Sequence, residues 1–205
     1  APMCNPVTRC ICSLMPPKHT CLTATPNNVF EIERSVMCAL RLVIMGVSGC
    51  GKSTVGEGLA KALQLPFLEG DSLHPPRNVA LMAAGTPLTD EDRAGWLDTI
   101  AARLAALPDD EGLVVSCSAL KRAYRDRLRR AAPDVRFVHL HGTSVLLAQR
   151  LQQRQHLYMP PTLLDSQLAT LEMPTADEHV IALNIEDTVP QLLQQALQAL
   201  QTAQA

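Results

Sequence analysis

Gly46-Val47-Ser48-Gly49-Cys50-Gly51-Lys52-Ser53 stands directly after the short apolar run Leu42-Val43-Ile44-Met45. It fits GxxxxGK followed by Ser or Thr, with a strand before it and a helix opened by it, the setting that makes this pattern a phosphate loop. Glycines let the backbone curl so that successive N–H groups point inward. Those donors, with the positive end of the helix, hold a polyphosphate. Gly46, Val47, Ser48, Gly49, Cys50, Gly51, Lys52, Ser53 and Thr54 are therefore expected around a nucleotide. Lys52 is expected to reach the β- and γ-phosphates, and Ser53 to give its hydroxyl to Mg2+. Cys50 reads as a small filler, although an exposed thiol there would be open to oxidation. The loop says nothing about the acceptor. A small-molecule kinase, a nucleotide kinase and a GTPase-like switch all contain it. The switch needs a guanine-reading NKxD, which the chain lacks, and its one DxxG (Asp92-Arg93-Ala94-Gly95) lies in a polar stretch rather than at a strand end.

Outward from the loop, apolar runs alternate with helical patterns. Pro66-Phe67-Leu68 ends at Gly70-Asp71; Leu113-Val114-Val115, Phe137-Val138-His139-Leu140 and Val180-Ile181-Ala182-Leu183 follow. Continuous apolar runs with helices between them predict a parallel sheet covered on both faces. Leu192, Leu193, Ala196, Leu197 and Leu200 make one face of a C-terminal helix, and Leu146, Leu147, Arg150, Leu151 and Arg154 keep helical spacing up to Pro160-Pro161. The fold class is α/β: a five-stranded parallel sheet flanked by helices. Residues 1–36 carry no period of 2 or 3.6 and read as a disordered extension, with Met37 as the start of the phosphate-loop domain 37–205.

The chain has 205 residues, enough for one full core and too few for two ordinary domains. It is 47% hydrophobic and 19% charged, which excludes a largely disordered or fibrous chain. No apolar run is long enough to span a membrane. With net charge −2, one Trp, two Tyr and three Phe, it lacks the basic excess and stacking aromatics of a nucleic-acid binder, so neither nucleic acid nor membrane is expected as a partner. Five of seven cysteines fall within the first 38 residues, without paired CxxC spacing. Reduced thiols of a cytoplasmic protein are the expectation. His139 and His141 flank Leu140, and strand-end packing is preferred over a metal site there.

The third run ends Ser116-Cys117-Ser118, with no carboxylate where the magnesium-associated acid of such proteins usually stands. Asp71, at the end of the second run, is the substitute. Ligands bind at the C-terminal edge of a parallel sheet, where a carboxylate can order the Mg2+ shell or accept the proton of an attacking hydroxyl. From Asp71 the chain reads Gly70-Asp71-Ser72-Leu73-His74-Pro75-Pro76-Arg77-Asn78, then Met82, Gly85-Thr86-Pro87-Leu88-Thr89-Asp90-Glu91-Asp92-Arg93 and Trp96-Leu97. This stretch resembles the gluconokinases of the P-loop small-molecule kinases, whose pattern runs GDxxHPxxNxxKMxxGxPLxDxDRxPWL. Leu81 stands where that family often has Lys, and Gly95 where it often has Pro. Cys117-Ser118-Ala119-Leu120-Lys121 with Tyr124-Arg125, and Pro160-Pro161 through Leu164, Ser166-Gln167 and Leu171-Glu172, extend the resemblance from about Leu42 to the end.

The resemblance implies the P-loop kinase fold with a mobile lid, a homodimer, and ATP-dependent phosphorylation of D-gluconate to 6-phosphogluconate. Gluconate is an anionic polyol, which calls for guanidinium at its carboxylate and short polar groups at its hydroxyls. Arg77, Arg93 and Arg125 are the candidates for the carboxylate, and His74, Asn78 and Ser118 for the hydroxyls, with Asp71 beside them. Lys52, Asp71 and Lys121 are the candidate catalytic groups. Arg150 and Arg154, ahead of the Pro-Pro break, are expected to clamp phosphates from the lid, Arg154 also offsetting charge in the transition state. Gln155-His156-Leu157-Tyr158 departs from the family's KGHF, and His156 is given no role. Two other readings stay open: a kinase resembling the shikimate kinases, which share loop and fold, and a nucleotide-binding module without catalysis.

Overall fold

The protein is described from a computed structural model, over residues 40–153 and 162–202. The expected extension 1–36 and the lid candidate Arg154, with His156 and Pro160-Pro161, lie outside the described residues. The chain runs β1 (Arg41–Met45), α1 (Lys52–Leu63), β2 (Phe67–Glu69), a 3-10 turn (Gly70–Leu73), α2 (Pro76–Ala83), α3 (Asp90–Ala105), β3 (Leu113–Ser116), α4 (Arg122–Ala131), β4 (Arg136–His141), α5 (Ser144–Gln152), α6 (Thr162–Thr170), a second 3-10 turn (Ala176–Glu178), β5 (Ile181–Asn184) and α7 (Val189–Thr202). The five strands form one sheet in the order β2-β3-β1-β4-β5, and every pairing is parallel.

Residues RLVIM of β1 are all buried because the strand is central and helices cover both faces. Alternation then splits the core. Val43, Met45, Leu113, Val115 and Phe137 pack with Trp96, Leu97, Ile100 and Leu104 of α3 and with Tyr124 and Leu128 of α4. Leu42, Ile44, Val114, Val138 and Leu140 are equally buried, and α1 and α7 cover them with Val55, Leu59, Leu192, Ala196 and Leu197. The two covering helices approach closely at Gly58, where a Cβ would come within 2.9 Å of Leu193.

The order positions the site. From β1 the chain passes over β3 to form β2 and returns; then it crosses β1 to build β4 and β5 on the other side. The reversal opens a crevice at the carboxyl end of β1, where open α/β sheets take their ligands. DxxG falls at the start of α3, where Asp92 closes a capping box with Thr89, so it belongs to a helix N-terminus. His139 is buried in β4 with no partner for its Nε2 among the described residues, and burial pushes its imidazole down to about 4. Its place in the strand core matches the packing reading.

Candidate active site

The loop leaves β1 at Gly46, whose φ of 140° suits only glycine. A Cβ there would meet the Leu140 carbonyl at 2.5 Å, so the loop must run hard against β4. It ends at Gly51, φ 93°, the N-cap of α1, which offers no side-chain cap and so leaves the helix amides to a ligand. Cys50 is 1% exposed, so it fills space beneath the loop and is no oxidation site. Lys52 donates from Nζ to the Val47 carbonyl at 3.0 Å. The Ser48 N–H donates to Oε1 of Gln167 at 2.6 Å.

A cavity lies on each side of the loop. Ser48 and Lys52 open onto the first, with Asp71 and His74 from the end of β2, Arg93 and Trp96 from α3, and Ser118 from beyond β3. Met82, Thr86, Pro87 and Leu88 form a second wall, and Leu163, Ser166 and Gln167 of α6 a third. Gly49, Cys50, Gly51 and Thr54 line the other cavity, with Arg150 and Gln153 from the end of α5 and Asp187, Thr188 and Val189 entering α7. Arg150 is held there by a 2.6 Å bond to the Ile185 carbonyl. Ser53 is exposed beside Lys52 at the start of α1.

The first cavity combines charge with rigidity. His74 stacks on Trp96 at 4.1 Å, nearly parallel, and the indole N–H is fixed by the Gly70 carbonyl at 2.7 Å. Burial lowers the His74 pKa, opposed by Asp71 and reinforced by Arg93, so the ring faces the cavity as a neutral imidazole. Arg93 donates to the Leu88 carbonyl, which fixes the guanidinium against the Thr86–Leu88 wall. Gly70 N–H donates to Ser116 Oγ at 3.0 Å, and the Ser116 hydroxyl donates to Glu69.

Of the residues expected to bind the acceptor or act in catalysis, Asp71, His74, Arg93 and Ser118 meet in one cavity with Lys52. Four others are elsewhere. Arg125 is wholly buried: its guanidinium is held by Glu178 at 2.6 and 2.8 Å and by the carbonyls of Ala119, Leu120 and Glu172, so no donor faces a ligand. Asn78 is buried too. It donates to the Asp92 carbonyl at 2.7 Å and lies 3.4 Å from His74 Nδ1, a clip from α2 to the start of α3 that supports the histidine from behind. The Arg77 side chain is 80% exposed, 3.5 Å from Asp92. Lys121 stands just before α4 and pairs with Asp90 at 2.7 Å, a bond that raises its pKa; it stays outside the cavity wall.

Sequence reasoning passed over Glu69, Trp96 and Gln167 as site residues. Glu69 pairs in register with Ser116, the position without a carboxylate, so the neighbouring strand supplies one there. Its signal was the acid two residues before Asp71. Cys117, buried beneath, has its thiol pushed up to about 12 by burial and is chemically inert.

The parallel sheet, the loop and the paired cavities define a P-loop phosphotransferase, a kinase. The family model of shikimate kinase (SKI) matches residues 48–201. The gluconokinase of Gluconobacter oxydans (strain 621H) is 51% identical over 149 residues, 71% of this chain and 82% of that one. The thermosensitive gluconokinase of Escherichia coli (strain K12) is 39% identical over 166 residues, 80% of this chain and 88% of that one. The crystal structure of a gluconokinase from Sinorhizobium meliloti 1021 superposes with a TM-score of 0.74 at 47% identity, covering 80% of this chain and 93% of that one. The chain belongs to the gluconokinase family, within the broader shikimate kinase group.

Proposed function

We propose that this protein transfers the γ-phosphoryl group of ATP to D-gluconate, forming 6-phospho-D-gluconate. One observation carries the reading: Lys52 and Ser48 of the phosphate loop line the same cavity as Asp71, His74 and Arg93. A phosphoryl group at the loop and a hydroxyl in that cavity are neighbours, and positioning is most of what phosphoryl transfer requires. ATP lies along the loop, its base and ribose in the second cavity between Arg150 and Thr188. Gluconate places its carboxylate on Arg93 and its hydroxyls on His74 and Ser118, with Met82 and Leu88 against its carbon chain.

Asp71 accepts the proton of the terminal hydroxyl as it attacks. Lys52 leaves the Val47 carbonyl for the phosphates and balances the charge that develops. The oxygen donors Ser53, Asp71 and Glu69 suit magnesium, and no group of three or more His, Cys, Asp or Glu that could hold a metal ion occurs among the described residues. That set fits an ion arriving on the triphosphate, with phosphate and water as most of its ligands. When bound, the ion supplies charge neutralisation.

The test is release of ADP from ATP with gluconate, with shikimate, and with no acceptor. Gluconate-dependent release supports the reading. Release with shikimate alone, or equal release without acceptor, overturns it.

A further inference from the structure

Gln167 is an uncharged polar side chain, 9% exposed, sitting on the phosphate loop. It belongs to α6, whose Leu163 and Leu164 are buried. The chain just beyond α6 is tied down where Glu172 N–H donates to the Leu120 carbonyl at 2.9 Å and Glu172 accepts from Arg122 N–H at 2.7 Å. The helix is therefore a fixed platform. What it delivers is a carbonyl oxygen at 2.6 Å from the Ser48 N–H.

The place of that N–H gives the contact meaning. Ser48 opens onto the acceptor cavity, whereas Gly49, Cys50 and Gly51 open onto the other. In the reading proposed above, the phosphoryl group lying between loop and acceptor is the transferred one, and Ser48 N–H is the donor that faces it. Gln167 Oε1 sits on that donor, where in this reading a phosphate oxygen would bind. We propose that Gln167 is a positioning residue acting through Ser48: a neutral stand-in for a γ-phosphate oxygen, which keeps the donor satisfied and aimed, yields it to a triphosphate, and takes it back once the phosphoryl group has left.

The energetics favour such an exchange. An amide oxygen holds an N–H weakly in net terms, while a charged phosphate oxygen makes a bond roughly twice as strong. A triphosphate therefore displaces the carboxamide, and its side chain turns while α6 stays in place. A diphosphate brings nothing to that position and leaves the bond intact. The device thus weakens ATP binding by the cost of that exchange and leaves ADP binding unaffected, while keeping the loop donor satisfied and aimed between turnovers.

The inference rests on the triphosphate reading but is tested by nucleotide binding alone, without any acceptor. Calorimetric titration with Mg-ATP and with Mg-ADP is applied to the wild type, Gln167→Glu and Gln167→Met. The carboxylate introduced by Gln167→Glu keeps the size and puts a negative charge at the γ-position; ATP affinity is expected to fall at least about tenfold, with ADP affinity within about twofold. Gln167→Met removes the competitor; ATP affinity is expected to equal or exceed that of the wild type by up to about tenfold, with ADP again unchanged. Equal changes for both nucleotides, no change in the Glu variant, or weaker ATP binding in the Met variant would overturn the proposal. Should the Glu variant fail to fold, Met and Gln167→Asn, too short to reach Ser48, decide it on the same ATP-to-ADP ratio. Failure of gluconate as acceptor with these ratios upheld would reject the substrate and leave the role of Gln167 standing.

Discussion

Asp71, His74 and Arg93 meet Lys52 of α1 in one cavity although they come from the first 3-10 turn, the segment just after it, and α3. With Asp71 as proton acceptor, Asp71→Asn is expected to lower kcat by about 100-fold or more while ATP binding stays within about twofold, read by ADP release and by calorimetry. Arg93→Lys keeps the charge and loses the fork, so the KM for gluconate should rise about tenfold with kcat less affected. Trp96, the only tryptophan in the chain, stacks on His74 in the same wall, so its emission should change on titration with gluconate. A flat titration beside gluconate-dependent turnover would remove the acceptor from this cavity. The local part of the site was legible in the sequence, because a phosphate loop is a backbone conformation dictated by a few consecutive residues. The arginines were not. Arg93 and Arg125 look alike in sequence, and what separates them is Glu178, 53 residues beyond Arg125 in the chain, which claims one guanidinium and not the other. Gln167 was quoted as part of a matching motif, yet its contact with Ser48 spans 119 positions and exists only once α6 is placed.

At the scale of elements, the strands showed as apolar runs because the sheet's centre is covered by helices on both faces, although the edge strands β2 and β5 are only partly buried. Their order in the sheet did not show, since periodicity records burial and not neighbours. The short α2, with only Asn78 buried, left too weak a pattern to find. The packing of α4 carries a sharper consequence. Arg125 reaches from α4 to Glu178 in the second 3-10 turn, and Arg129 joins the same carboxylate at 3.0 Å while lying over the Phe137 ring. This network anchors the segment after α6 to the body of the fold. Removing one partner strands a buried charge, so Arg125→Met is expected to cost about 3–5 kcal/mol in urea unfolding. Arg125→Met combined with Glu178→Leu should recover much of that loss. In whatever fraction folds, the KM for gluconate should match the wild type. A large rise in KM without loss of stability would return Arg125 to the substrate.

Across the whole molecule, the groups perturbed on the acid side point one way with pH. Burial, reinforced by His141 and Arg125, holds His139 at about 4, well under the ordinary 6.5, so the native state keeps it neutral. Between pH 6.5 and 4 the unfolded chain takes up that proton and the folded one does not. Stability therefore falls as the pH drops through this window, by about 3 kcal/mol at its lower end. The carboxylates act later. Hydrogen bonds from Arg125, opposed by burial and aided by Arg129, hold Glu178 at about 2, and Arg122 and Thr175 do the same for Asp177. Their stabilisation is complete above the ordinary carboxylate range and is lost between about pH 4.5 and 2. Two acid windows should thus appear in urea midpoints measured from pH 8 to pH 3. His139→Leu, which also removes from the strand core an Nε2 with no partner among the described residues, separates them. The variant should slope clearly less than the wild type from pH 6.5 to 4.5, keeping only the part that the lowered His74 pKa contributes, and should then lose stability in parallel with it. An unchanged slope in the upper window would place its cause in another group and remove His139 from the account.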